Sequence, residues 1–150
     1  MGLDLHCVGF GPKNSDPTEC IRDFTSLQVK LNKRLFIFWM FFVGAVFQES
    51  GKAGLGTIIG NDLGLVMVAL TQTIPLPTSV EMVEVLAAQR ALLFAMELGF
   101  DHIILEGDFE TTIRAMQSES YLAACFGHIL SDIKALSTHF RKLVFRHTRR

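Results

Sequence analysis

Cysteine is scarce in this 150-residue chain, which contains three: Cys7, Cys20 and Cys125. Because their number is odd and no C-x-x-C spacing occurs, the sequence indicates neither a disulfide framework nor a zinc site. This cysteine usage favours a reducing, intracellular compartment. Charged residues are also few, at 19%, whereas 49% of the residues are hydrophobic. That balance excludes global disorder, and together with the length of the chain it predicts a single domain with a sizeable core.

The longest apolar run is "LFIFWMFFVGAVF", at residues 35–47. As a helix it would rise about 20 Å, which is short of the roughly 30 Å hydrocarbon core of a bilayer. We therefore expect no membrane span and interpret the run as a buried strand. A phosphate-binding loop is also excluded, because no Lys-Ser/Thr pair and no helix follow the cluster Gly51, Gly54 and Gly56. These residues are more typical of strand glycines and a bulge.

Positive charge is distributed unevenly along the chain. From Lys134 onward there are six cations and no carboxylate, whereas the preceding part has eight cations against fifteen carboxylates, a balance of −7. A basic C-terminal end on an acidic body suits contact with phosphates. The alternative is an ordinary solvated terminus.

Regular secondary structure is predicted from residue 38 onward. Three β-rich runs, at 38–47, 54–59 and 65–73, have short connections that favour an antiparallel meander. The hydrophobic period then changes to that of a helix. Thr78 and Glu81 fit a T-x-x-E capping box and Gly99 fits a C-terminal stop, which together predict a helix over 79–98.

The second half of the chain alternates strands with helices. "DHIILEGD" is typical of a strand covered on both faces, and helices are predicted over 109–117 and 126–137. "KLVFRH" closes the chain as a further strand. Helical crossovers between the later strands predict an α/β fold, in which a mixed sheet has helices packed on it.

Two carboxylates occupy unexpected positions in this pattern. Glu84 lies within the first predicted helix, and its helical neighbours are small or apolar: Val80, Ala87, Ala88 and Ala91. A carboxylate on such a face needs a partner or a cation. Asp108 lies where a parallel strand ends and a helix begins, which is where open α/β sheets bind ligands. It could cap the helix or, together with Glu84, hold Mg²⁺.

The sequence resembles a known family in the run "SVEMVEVLAAQRALLFAMELGFDHIILEGDFETTIRAMQSES", followed by "FGHILSDIKALSTHFRKLVFRHTRR". These segments resemble the ribonuclease H-like domain, in particular its plant reverse-transcriptase-associated branch. The similarity extends back through "GAVFQESGKAGLGTIIGNDLGLVMVALTQTIPLP". We therefore expect residues 1–42 to be a divergent leader with the start of the first strand, and 43–150 to be the ribonuclease H-like domain.

The resemblance implies a fold and an activity. The family has a mixed five-stranded sheet, three antiparallel strands and then parallel ones, whose four acidic residues bind two Mg²⁺ ions, with Mn²⁺ as an alternative. Its enzymes cut the RNA strand of RNA–DNA hybrids. By resemblance Glu84 and Asp108 are catalytic metal ligands and His147 is the family's mobile catalytic histidine. The implied nucleic-acid surface includes the cations Arg146, Arg149 and Arg150.

The chain departs from the family pattern in two places. The first strand should end in an Asp-Gly pair, but this sequence has Val43-Gly44, and valine offers no oxygen ligand. The chain also stops at Arg150, before the family's final helix and its last acidic residue. We therefore predict that hydrolysis is severely weakened or lost. The alternatives are a non-catalytic module that binds nucleic acid or protein, and a non-functional fragment.

Overall fold

The computed structural model of the protein describes residues 3–7, 36–118 and 126–149. In these parts of the chain, six strands form one sheet with three α-helices packed on it. The strands are β1 (Leu3–Cys7), β2 (Phe38–Phe47), β3 (Lys52–Gly60), β4 (Val66–Pro75), β5 (His102–Gly107) and β6 (Lys142–His147). The helices are α1 (Val80–Glu97), α2 (Glu110–Gln117) and α3 (Gly127–Ser137).

The sheet confirms the predicted mixed topology. Strands β2, β3 and β4 form the antiparallel meander, and β5 and β6 run parallel to β2 on its other side. The order across the sheet is β1-β4-β3-β2-β5-β6. Strand β1 was not predicted: it pairs antiparallel with the outer edge of β4, with Leu3 beside Gln72. The segment expected to be a leader therefore contributes an edge strand, while the domain boundary at residue 43 stays a prediction.

The two faces of the sheet differ in burial. Side chains alternate between the faces along each strand, and the fully buried positions all lie on one of them, for example Met40, Phe42, Leu70 and Leu105. Apolar residues from all three helices belong to the same core cluster. The opposite face, which we call the open face, carries partly or fully exposed residues such as Phe41. The main core therefore lies between the sheet and the helices.

Residues 38–47 of the long apolar run form β2, which lies between β3 and β5 in the interior of the sheet. This position explains its composition, because an interior strand is flanked by neighbours on both sides. None of the helices in the described part of the chain is long and apolar enough to span a membrane.

Helix α1 begins one residue later than the capping-box prediction required. Ser79, not Thr78, is the N-cap, and its hydroxyl accepts a hydrogen bond from the backbone N–H of Met82 at 3.1 Å. The prediction was wrong because two adjacent hydroxyl residues suit this role, and the one directly before the first helical residue reaches the third N–H. The predicted stop at Gly99 is confirmed by its φ of 77°. Its N–H and that of Phe100 close a Schellman motif.

A buried hydroxyl in α2 leads to a prediction about stability. The Thr112 side chain is 1% exposed, and its Oγ1 has no hydrogen-bond partner among the residues that the structure describes. Replacing the hydroxyl by a methyl group of similar size removes this desolvation penalty. We therefore expect Thr112→Val to raise the free energy of unfolding by about 1 kcal/mol. Urea denaturation measures the change, and the exposed neighbour Thr111→Val is the matched control. A destabilised Thr112→Val protein would contradict this assignment.

Candidate active site

Three parallel strands end at the edge of the sheet where the candidate residues lie. Phe41 of β2 is in register with Glu106 of β5, so continuing the same alignment by two residues puts Val43 beside Asp108. On the other side of β5, Gly107 is in register with His147. The carboxyl ends of parallel strands are where open α/β sheets bind ligands. The sequence-predicted residues Asp108 and His147 are therefore brought together at this edge.

Asp108 lies between β5 and α2 and is partly buried. Of the two roles left open by the sequence, the helix cap is wrong. Helix α2 begins at Glu110, and its N-cap is Phe109, whose side chain makes no capping hydrogen bond. Asp108 lies one residue before this N-cap, directly after the last residue of β5.

Glu84 lies in the second turn of α1 and is 6% exposed. The neighbours predicted to surround it, Ala87, Ala88 and Ala91, are fully buried, whereas Val80 is 50% exposed. Helix α1 approaches β2 closely here, because a Cβ added to Gly44 would lie 3.1 Å from Glu84 Oε1. The absence of a side chain at this position lets the buried carboxylate contact the backbone of β2.

Val43 and Glu84 flank the same strand from opposite sides. Gly44 faces α1, so the preceding side chain, Val43, projects to the open face. There its Cγ1 lies 3.1 Å from the position of a Cβ added to Gly56 on the neighbouring strand. The position that carries aspartate in the resembled family is therefore apolar here, and its side chain lies on the face opposite to Glu84.

The basic end of the chain contributes one side chain directly to this edge. His147 is partly buried, and its Nε2 lies 3.2 Å from the backbone carbonyl oxygen of Asp108. Arg146 points to the other side of β6, where its guanidinium donates to Glu106 at 2.9 Å in an ion pair. Arg149 is exposed. The remaining predicted cation, Arg150, lies outside the described residues.

The donor set does not fit a pair of Mg²⁺ ions. Within the described parts of the chain, no group of three or more His, Cys, Asp or Glu residues is arranged to hold a metal. Glu84 and Asp108 are carboxylates of the kind that Mg²⁺ prefers. When the register of β2 and β5 is continued by two residues, however, the residue opposite Asp108 is Val43, which supplies no oxygen ligand. The roles of Glu84, Asp108 and His147 in catalysis stay predictions.

Sequence reasoning missed two features of the site. One is the ion pair between Arg146 and Glu106, which joins strands far apart in sequence and has no local signal. The other is the close approach of α1 at Gly44. A glycine beside an apolar strand position was a usable signal for that approach, because glycine allows another element to come near the backbone.

Comparison with known proteins places this architecture in a family. The reverse transcriptase-like family matches residues 41–150. No curated protein matches the chain in sequence. Solved structures match the chain in fold: RNase H1 from the halophilic archaeon Halobacterium salinarum is similar with a TM-score of 0.65 and 23% identity, over 75% of this chain and 86% of that one.

Two further solved structures have the same fold. The N-terminal RNase H domain of a Mycobacterium tuberculosis protein has a TM-score of 0.67 and 17% identity, over 77% of this chain and 84% of that one. LC11-RNase H1, isolated from compost and solved in complex with an RNA/DNA hybrid, has a TM-score of 0.62 and 22% identity, over 75% of this chain and 86% of that one. From its topology and these matches, the chain belongs to the reverse transcriptase-like family and has the ribonuclease H fold.

Proposed function

We propose that this chain binds RNA–DNA hybrids through the carboxyl edge of β2, β5 and β6, and that its hydrolytic activity is severely weakened or lost. The observation that carries the proposal is Val43, an apolar residue where the resembled family has an aspartate, two residues beyond Phe41 of the last β2–β5 pair. The ribonuclease H fold supports the proposal that the chain binds hybrids. The presence of valine in place of the family's aspartate supports the loss of hydrolysis.

Electrostatics explains why the loss of one carboxylate matters. In the family, two Mg²⁺ ions stabilise the attacking water and the leaving oxygen when they are bound. Two such ions about 4 Å apart repel each other unless several carboxylates neutralise them. Glu84 and Asp108 supply two negative charges, and Val43 supplies none at the position where the resembled family has an aspartate. We therefore infer that this chain does not retain a pair of ions at cellular metal concentrations.

Support for binding comes from the fold and from charge. LC11-RNase H1 has the same fold and has been solved with an RNA/DNA hybrid. In this chain His147 lies at the carboxyl edge of the sheet, and Arg149 is exposed two residues further on. Cations that contact phosphates release counterions, so the affinity should fall steeply as salt rises.

The two arginines described near this edge should differ in their effect on binding. Arg149→Ala should weaken hybrid binding and lower the slope of log affinity against log salt by about 1, because one phosphate contact is lost. Arg146→Ala should have a smaller effect, because Glu106 already neutralises that guanidinium. Fluorescence anisotropy with a labelled hybrid at several salt concentrations measures both variants. Equal effects of the two substitutions would contradict this division of roles.

Binding of the unmodified chain tests the proposal itself. We expect it to bind a labelled hybrid with an affinity that decreases linearly on the log–log salt plot. A folded protein with no measurable hybrid affinity at low salt would overturn the binding half of the proposal. Metal-dependent cleavage by the same protein would overturn the other half.

A further inference from the structure

Two side-chain hydrogen bonds connect β6 to the segment that contains α2. At the carboxyl end of α2, Gln117 Nε2 donates to the backbone carbonyl oxygen of Phe145 at 2.9 Å. Just before α2 begins, the backbone carbonyl oxygen of Asp108 lies 3.2 Å from Nε2 of His147. A carbonyl oxygen can only accept, so this ring nitrogen carries a proton and donates it to the bond. Strand β6 is therefore tied by side chains to the chain on both sides of α2.

The hydrogen bond from Gln117 reaches the side of β6 that faces away from β5. At the two ends of β6, the N–H groups of Lys142 and Thr148 donate to backbone carbonyls at either end of β5. Backbone groups alternate between the two sides along a strand, so Phe145 directs its C=O away from β5. In the described part of the chain, β6 is the outermost strand on this side of the sheet. Gln117 therefore holds β6 from the side opposite to its partner strand.

Helix α2 is a firm support for these bonds, because its inner side belongs to the core. Ile113 is 1% exposed, and Met116 packs against the core cluster. The two points at which side chains tie β6 to this support are two residues apart, about 7 Å along the strand. Directly after them, Thr148 donates its N–H to Gly107 at 2.9 Å, and the exposed Arg149 follows. The support therefore ends at the residue that begins the cationic end of the chain.

We propose that Gln117 and His147 are positioning residues, which fix the end of β6 against α2 and so hold Arg149 at the carboxyl edge of the sheet. The inference rests on the proposed hybrid binding, because it assigns the residues that place a phosphate-contacting cation. A side chain whose backbone is already fixed loses less conformational freedom when it binds, and its contact is correspondingly stronger. Gln117 acts in this way without touching the hybrid.

Hybrid binding by Gln117→Met tests the proposal. Methionine has a similar length but cannot donate, and because Gln117 is exposed the variant should fold, which circular dichroism checks. Fluorescence anisotropy should show affinity about threefold weaker, the order expected for one surface hydrogen bond. In an Arg149→Ala background the same substitution should have no further effect, because the side chain that it displaces is already absent. Gln89→Met is the matched control: it removes a glutamine that donates to Asp132 between α1 and α3, and should leave affinity unchanged.

Amide hydrogen exchange tests the positioning without any hybrid. The N–H of Thr148 should exchange at least about threefold faster in Gln117→Met than in the natural chain, and at an unchanged rate in Gln89→Met. Nitrogen-15 NMR of the natural chain should find the proton of the neutral His147 ring on Nε2.

The outcomes separate this inference from the proposed function. A natural chain that binds no hybrid overturns the proposed function, and the exchange of Thr148 still decides the positioning. Unchanged exchange in Gln117→Met, or a His147 ring with its proton on Nδ1, would overturn the positioning. An affinity loss that persists in the Arg149→Ala background would do the same, because Gln117 would then act by another route.

Discussion

Gly107→Ala should destabilise the fold by about 3 kcal/mol or more, because it places a methyl group inside a filled core. The added Cβ would lie 2.5 Å from Cζ and 2.7 Å from Cε1 of Phe42, distances that require an atom to move. The Phe42 ring is fully buried on the adjacent strand, so it can move only by displacing other core atoms. Gly107 is also the last residue of β5, so its displacement would move Asp108 away from the sheet edge. Urea denaturation monitored by circular dichroism measures the loss.

Gly51→Ala is the matched control. Gly51 has a φ of 63°, and an added Cβ would meet no atom within 4 Å. Its substitution should cost only about 1 kcal/mol, from the backbone conformation alone. Combining Gly107→Ala with Phe42→Leu should be less destabilising than the sum of the two single changes, because the shorter side chain makes room for the methyl group. A Gly107→Ala protein as stable as the Gly51→Ala protein would contradict the packing described.

Val43→Asp should give the chain an affinity for divalent ions that it otherwise lacks. The register puts a carboxylate at this position beside Asp108, and Glu84 lies against the following residue. Without metal, the new carboxylate and that of Asp108 repel each other, so the variant should melt at a lower temperature than the natural chain. Mn²⁺ or Mg²⁺ should then raise its melting temperature, because a ligand that binds only the folded state stabilises it. Cleavage of a hybrid should become detectable but stay below that of a complete ribonuclease H.

Val43→Asn is the control that distinguishes the effect of the negative charge from the effect of side-chain size and shape. It has nearly the same size as the aspartate variant and offers an oxygen without a negative charge. We expect no rise of its melting temperature with Mn²⁺ and no cleavage. If the natural chain is stabilised by Mn²⁺ as much as the Val43→Asp variant, then Val43 does not limit metal binding and this part of the account is wrong. Full activity restored by the single change would also contradict it.

Elements with strong local patterns could be predicted from the sequence. The helix predicted over 79–98 is Val80–Glu97, and the strand predicted over 38–47 is Phe38–Phe47. Both elements have a sustained hydrophobic period, and the helix also has a stop signal at Gly99. Signals of this kind are contained in the local sequence. The mixed sheet followed from the order of these elements, because helical crossovers between strands impose parallel pairing.

Other features depend on contacts that no local pattern encodes. Strand β1 is short, and only the alternation in "LDLHC" hints at it, so its pairing with β4 is decided by the exposed edge of that strand. The proximity of Val43 to Asp108 depends on a register between strands more than fifty residues apart. The approach of Glu84 to β2 depends on Gly44, whose role appears only when the helix is packed against the sheet.

The central claim is that this ribonuclease H fold binds hybrids without cutting them. The measurement that tests it most directly follows one labelled RNA–DNA hybrid for both binding and cleavage, with Mg²⁺ and with Mn²⁺, beside an Asp108→Asn control. We predict salt-sensitive binding by the natural chain and intact RNA with either metal. Metal-dependent cleavage that Asp108→Asn abolishes would contradict the claim, because it would mean that the carboxylates present are sufficient for hydrolysis despite Val43.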